Sequence, residues 1–303
     1  MRSDLKDAVL LLFCVIVWAL SFPAIKFLLS YFNPISLSFV RFSMASLSLM
    51  PVFVLYRKPL MEQIKKMPLI FLIFSILVVP LPDLSQNFGM DMMDPESAAS
   101  MASILQPMSP VFVLILATLF LKEKFTINKG IGIFLAFAGV VLLSTDGLSR
   151  IRAGNITGEA LILLSALSYA LSGIFGKMIL DRSEGMKGPL STIVWSYFIG
   201  SAFLLPFYMA EGNFPEIDSS ALMVLIFLSI FTLIPYFLWY IVLRKNEVSR
   251  QSAYVFLIPL FGVLFSSLFL GEKLSPQMLL YGALIMVGVY VSQKSKIFIK
   301  YYP

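Results

Sequence analysis

Apolar residues dominate ten long blocks of this chain, roughly 8–28, 35–56, 68–90, 96–121, 128–145, 158–180, 190–209, 220–243, 249–270 and 276–293, parted by short polar turns. A helix rises 1.5 Å per residue, so about 20 apolar residues reach across a hydrocarbon core about 30 Å thick. The pattern predicts ten transmembrane helices joined by loops too short to hold an extramembrane domain. With 59% of its 303 residues hydrophobic and 13% charged, the chain carries far more apolar surface than a soluble domain needs.

The blocks repeat. Phe120-Leu121-Lys122-Glu123-Lys124 returns as Phe269-Leu270-Gly271-Glu272-Lys273. Trp18-Ala19-Leu20-Ser21, followed by Lys26, returns as Tyr169-Ala170-Leu171-Ser172, followed by Lys177. Pro34, Ser36 and Pro51 return as Pro189, Ser191 and Pro206, and Pro110 returns as Pro259. The offsets of 149, 151 and 155 residues divide the chain into halves, 1–148 and 149–303, with five apolar blocks in each. An odd number of spans forces the second half to enter the bilayer from the other side. The expected fold is therefore all-α and integral to the membrane, with ten transmembrane helices in two inverted five-helix repeats. This architecture belongs to secondary transporters with a site near the midplane.

Charge orients the chain. One set of turns holds Arg2, Lys6, Arg57, Lys58, Lys65, Lys66, Lys122, Lys124, Lys129, Arg182, Lys187, Arg244, Lys245, Arg250, Lys294, Lys296 and Lys300. The other holds only Arg150, Arg152 and Lys273. Lys and Arg favour cytoplasmic loops, so both termini are expected in the cytoplasm, with the plasma membrane as the expected location. The net charge of +6 is spread over separate loops, not gathered in a patch, which argues against nucleic acid as a partner. Helix 1 is long enough to span and lacks a small-residue cleavage site, so it is expected to stay as a membrane helix.

Enzyme chemistry finds little footing. There is no histidine, and the single cysteine, Cys14, lies inside the first block. This excludes an intramolecular disulfide and removes the common metal ligands. No phosphate-binding glycine loop, metal-spaced acid pair or nucleophile–base motif is present. No cofactor and no metal are expected.

The repeated motifs resemble those of the drug/metabolite transporter superfamily, in its ten-helix EamA-type branch. The resemblance spans almost the whole chain. Its carriers are Trp18 to Lys26, Pro34 with Val40-Arg41-Phe42, and a mid-helix proline followed by Leu-x-Glu-Lys in each half. Lys122 stands where the family usually has glycine, a departure expected to have no functional consequence. The resemblance implies two halves related by a pseudo-two-fold axis in the membrane plane. It also implies a central cavity lined largely by helices 1, 3, 4, 6, 8 and 9, and transport of a small metabolite, often export. It does not fix the solute.

Ionisable groups inside a span are costly and mark functional candidates. Arg41 and Asp83 lie roughly 10 Å below the outer ends of helices 2 and 3, counted at 1.5 Å per residue. Their repeat mates, Ser196 and Tyr236, are uncharged. The two are expected to pair, either as a fixed strut or as a working part. Asp83, Gln86 and Asn87 share a face of helix 3, and their mates Tyr236, Trp239 and Tyr240 share one of helix 8. A cavity between a polar and an aromatic face suits an amino-acid-like or cationic, amphiphilic solute, its ammonium meeting Asp83 or a ring. The alternative is that both sets are interfacial, toward opposite sides of the membrane. Trp18, Ser21, Tyr169 and Ser172 fall near mid-membrane, and Gln106 and Tyr254 add polar and aromatic candidates on helices 4 and 9. Pro23, Pro82, Pro110, Pro235 and Pro259 are expected to kink their helices and to serve as hinges. Glu123 and Glu272 read as structural helix-end residues.

The expected function is secondary active export or exchange of a small metabolite by alternating access. The expected partners are a small solute and the lipid bilayer, with the protein a monomer or weak dimer. Asp83 is the lone candidate for proton coupling. A non-transporting membrane scaffold or assembly subunit is the alternative.

Overall fold

The computed structural model describes residues 2–93, 102, 105–144, 155–211, 215–270 and 276–294, and the regular elements among them are helical. Arg150, Arg152, Glu272, Lys273, Lys296 and Lys300 lie outside these residues. Among the described residues, five helical runs are long and apolar enough to cross a membrane: Leu5–Leu28, Pro68–Asp91, Ile156–Asp181, Lys187–Ala210 and Ser219–Leu243. Large apolar side chains such as Val54, Leu119, Phe134, Leu279 and Met286 point outward, which only a lipid environment rewards.

Several spans are broken where the sequence reading expects bends. The first helix, α1 (Arg2–Leu28), is continuous and carries Pro23 inside it. The second block forms α2 (Pro34–Ser48) and α3 (Met50–Leu55). A charged helix, α4 (Arg57–Lys66), occupies a stretch expected as loop. It buries Leu60 and Gln63 and leaves Glu62 and Lys66 outside as an i,i+4 pair, 2.7 Å apart. The third span is split at Val79 into α5 (Pro68–Val78) and α6 (Pro80–Asp91). In the fourth block Ala102 and Leu105 are helical, and a 3₁₀ turn, Gln106–Met108, leads into α7 (Ser109–Phe120). Then come α8 (Ile127–Ser144), α9 (Ile156–Asp181) and α10 (Lys187–Glu211). The eighth span joins α11 (Ser219–Ile226) through a π-turn, Phe227–Phe231, to α12 (Leu233–Leu243). The ninth joins α13 (Val248–Ser252) through a 3₁₀ turn, Ala253–Phe256, to α14 (Leu257–Leu270). The last is α15 (Pro276–Gln293). Pro82, Pro110, Pro235 and Pro259 all sit in the first turn of a fresh helical piece. There the missing N–H costs no ladder bond, so the chain restarts instead of kinking.

Residues that match between the halves meet each other. Ser46 and its mate Ser201 approach to 3.0 Å between hydroxyls, where α2 crosses α10. The rings of the mates Phe42 and Tyr197 lie 5.4 Å apart, edge to face. The α8–α15 contact is doubled in the same way. A Cβ on Gly139 would meet Ile285 and the Tyr281 carbonyl, and one on its mate Gly288 would meet Ala136 and the Gly132 carbonyl. In an isologous contact, the partners of one residue are the mates of the partners of the other. Elsewhere α1 packs on α12 while α9 packs on α5 and α6, again a matched pair.

Lys122 has a backbone conformation that the sequence does not announce. Its φ of 55° puts it in the left-handed region, just after α7, and the Glu123 N–H turns back to the Ala117 carbonyl at 3.1 Å. A Cβ there is strained by roughly 1–2 kcal/mol, which explains why glycine suits the position. Lys122→Gly is expected to stabilise the protein by up to about 1 kcal/mol, after the extra backbone entropy of glycine is subtracted. Thermal unfolding in detergent measures it; no rise in midpoint refutes the strain.

At the entrance to α11, Asp218 accepts from the Ala221 N–H at 2.7 Å, the Ser220 hydroxyl at 2.6 Å and the Tyr31 hydroxyl at 2.9 Å. These bonds favour the carboxylate, the Ala221 N–H most, and hold Asp218 below its ordinary value of 3.8. The linkage has one sign: the cap is complete above the unfolded value and is lost as pH falls through the lower folded one. Below about pH 4 the melting temperature is expected to fall, and Asp218→Ala should flatten that limb. An unchanged acid limb in the variant would place the loss elsewhere.

Candidate functional site

The broken helices surround a cavity of about 140 Å³ at the meeting of the two halves. Repeat-related residues face each other across it. Trp18, Ser21 and Phe22 of α1 line it, and so do their mates Tyr169, Ser172 and Gly173 of α9. Asp83 and Gln86 of α6 answer Tyr236 and Trp239 of α12. Gln106 of the first 3₁₀ turn answers Val255 of the second. Helices 1, 3, 4, 6, 8 and 9 thus all reach the cavity, and helix 2 adds Arg41.

Asn87 and Tyr254 fall outside the wall. Asn87 is fully buried one turn past Asp83, facing α2, with its amide nitrogen 3.0 Å from the Ser38 hydroxyl. Tyr254 packs into the apolar cluster of α1, α8 and α15. Phe22, Gly173, Val248 and Ser252 line the cavity without having been singled out. For Phe22 and Gly173 the signal was present: each lies four residues after Trp18 or Tyr169, on the same helical face.

The two intramembrane charges meet. Arg41 Nη1 donates to Asp83 Oδ1 at 2.8 Å, with both side chains almost wholly buried. Asp83 Oδ2 lies 2.6 Å from the Ser38 hydroxyl and 3.1 Å from the Asn87 amide nitrogen. Arg41 Nε reaches the Leu228 carbonyl at 3.4 Å, one of the groups that the π-turn leaves without an α-helical partner. Such carbonyls need partners in a membrane interior; here the Thr232 hydroxyl donates closely and Arg41 more loosely.

The aromatic wall is continuous. The Trp18 ring lies 5.2 Å from Tyr236 and 5.0 Å from Trp239, and Tyr169 and Tyr236 bring their hydroxyls within hydrogen-bonding reach. Asp83 and Gln86 of helix 3 and Tyr236, Trp239 and Tyr240 of helix 8 therefore share one chamber. Two polar atoms of the lining residues, Trp18 Nε1 and Gln106 Oε1, are buried without a hydrogen-bond partner. An unmet buried group costs about 1–3 kcal/mol.

A charged clasp lies beside the lining residue Val248. The Glu123 carboxylate accepts from the Val248 N–H at 2.6 Å, the Ser249 N–H at 3.2 Å and the Ser249 hydroxyl, capping α13. Lys129, fully buried, sits 3.7 Å from Glu123 and 3.1 Å from Glu247. Glu123 is structural, as its helix-end position suggests, but it ties helix 4 to helix 9 and does not merely face solvent. Lys177 caps α12 in turn, its Nζ 3.2 Å from the Leu243 carbonyl.

Helices of membrane-spanning length around a solute-sized chamber, walled by both halves of a repeated chain, define a polytopic membrane protein of the transporter class. The chain belongs to the EamA-like transporter family, whose model matches residues 5–145 and again 156–293. A transporter of Archaeoglobus fulgidus is 30% identical over 288 residues, covering 95% of this chain and 98% of that one. A protein of Escherichia coli (strain K12) named a probable amino-acid metabolite efflux pump is 28% identical, covering 95% and 94%. A solved crystal structure with 12% identity superposes with a TM-score of 0.75 over 95% of this chain, and supports the fold alone.

Proposed function

We propose that the protein is a secondary transporter that exports or exchanges a small amino-acid-like metabolite by alternating access. Ten spans form two five-helix halves of opposite orientation, with both termini in the cytoplasm of a cell bounded by the plasma membrane. The halves rock about the chamber and expose it to each side in turn. The observation that carries this reading is the chamber itself. Its wall is built from repeat-matched residues, and it holds an ion pair and unmet polar atoms that a solute would satisfy. The interrupted helices 3, 4, 8 and 9 support it as well, because irregular backbone at membrane depth is tolerated where it lines a cavity. Two relatives named probable amino-acid metabolite efflux pumps support the solute class and the outward direction. The breaks near Pro82, Pro110, Pro235 and Pro259 are the proposed hinges, with Pro23 bending α1.

Solute counterflow in liposomes tests the reading. Vesicles loaded with an unlabelled amino acid are expected to accumulate the labelled form transiently, and protein-free vesicles are not. Absence of counterflow across a broad panel of amino acids and related metabolites would remove the proposal.

A further inference from the structure

We propose that the chamber is a charge-neutral recognition site: it accepts solutes of zero net charge, zwitterions above all, and rejects their net-charged derivatives. The inference rests on the transport reading, since it names the solute class of the same chamber. Among the described residues, Arg41 and Asp83 are the only acidic or basic side chains on its wall, and they neutralise each other. Asp83 is saturated. One oxygen takes Arg41, and the other lies within hydrogen-bond distance of Ser38 and Asn87. A free ammonium would meet a carboxylate whose charge Arg41 already balances, so this proposal departs from the expectation that Asp83 receives a cationic solute. Net charge of either sign would pass from water to a mostly apolar chamber without a counter-ion, and that is costly.

A zwitterion brings its own compensation. Asp83 and the Leu228 carbonyl engage two of the five guanidinium donors, and Arg41 still forms part of the wall. A solute carboxylate meets the remaining edge of the guanidinium. The ammonium meets Gln106 and the faces of Trp18, Tyr236 and Trp239. The unpartnered Trp18 Nε1 and the unpartnered amide oxygen of Gln106, a side chain only 6% exposed, are the neutral donor and acceptor that complete the fit. Each meets the solute after a small side-chain rotation.

Binding to the purified full-length protein tests this separately from transport. The probes are alanine, leucine, methionine and phenylalanine, each as the free amino acid, the cationic carboxamide and the anionic N-acetyl form. The readout is thermal stabilisation at about pH 6, where the α-amino groups stay charged. At least one free amino acid is expected to bind, with both charged derivatives at least about tenfold weaker. Asp83→Asn is expected to move the preference to the N-acetyl form, and Arg41→Gln to move it to the carboxamide. The double variant should return it to the zwitterion, and it keeps the test decisive if a single variant fails to fold. Trp18→Phe and Gln106→Met should weaken the zwitterion about three- to tenfold while leaving the preference for zero charge intact. Equal or tighter binding of a charged derivative to the unaltered protein overturns the proposal, as does silence from the whole series. Charge-selective binding without counterflow would remove only the transport reading. Counterflow without charge selectivity would remove only this one.

Discussion

Arg41→Gln is expected to destabilise the protein by about 3–5 kcal/mol, the largest effect of any single substitution discussed, because it strands a buried carboxylate. Asp83 is 2% exposed, and Arg41 is its only charged partner among the described residues. The Ser38 and Asn87 contacts remain but do not replace a countercharge. Asp83→Asn is expected to cost a similar amount, since it leaves the guanidinium uncompensated beside Phe42. The double variant should lose much less than the sum, because neither charge is then orphaned. A cycle of the four proteins, unfolded in detergent, gives the coupling directly. Additive losses would show that the two charges do not act as one unit.

Gly132→Ala and Gly288→Ala should each cost about 1–3 kcal/mol by overpacking. A Cβ on Gly132 would sit 2.4 Å from the Ser292 backbone nitrogen, and one on Gly288 would sit 2.4 Å from that of Ala136. Both obstacles are main chain, so a rotamer change offers no relief, and α8 and α15 must move apart. Small residues permit this approach in a membrane, where packing rather than water expulsion holds helices together. Gly262 in α14 supplies the control. Among the described residues nothing lies within 4 Å of its added Cβ, so Gly262→Ala should gain about 0.5–1 kcal/mol of helix propensity. If all three substitutions behave alike, the close crossing is not what limits stability.

The helical membrane class and the family were legible because both rest on patterns that repeat along the chain. The Arg41–Asp83 pair was legible for a simpler reason: two opposite charges at one depth in a membrane have few other partners. Position around an axis was harder to read. Asp83, Gln86 and Asn87 share a face by spacing, yet Asn87 turns to α2 while Gln86 meets the chamber. The neighbouring helix, absent from any one-dimensional pattern, divides that face. The alternative that put Tyr236 and Trp239 at an interface rests on counting along an uninterrupted helix. The π-turn at Phe227–Phe231 alters both rotation and rise, so counting across it misplaces the residues of α12. The left-handed Lys122 was hidden because composition carries no dihedral angles. The clasp of Glu123 on α13 joins residues 125 apart in sequence, and no local signal announces it.

Sidedness labelling of two repeat-related turns tests most directly the proposal of opposed halves around one chamber. Ser30 lies in the turn between α1 and α2, and Glu184 in the matching turn between α9 and α10; both are exposed. The native Cys14 is fully buried and adds no background. In sealed vesicles of known orientation, an impermeant thiol reagent is expected to modify Ser30→Cys only from outside and Glu184→Cys only from the cytoplasmic face. Labelling of both from the same face would contradict the inverted arrangement, and with it a chamber shared by the two halves and opened to each side in turn.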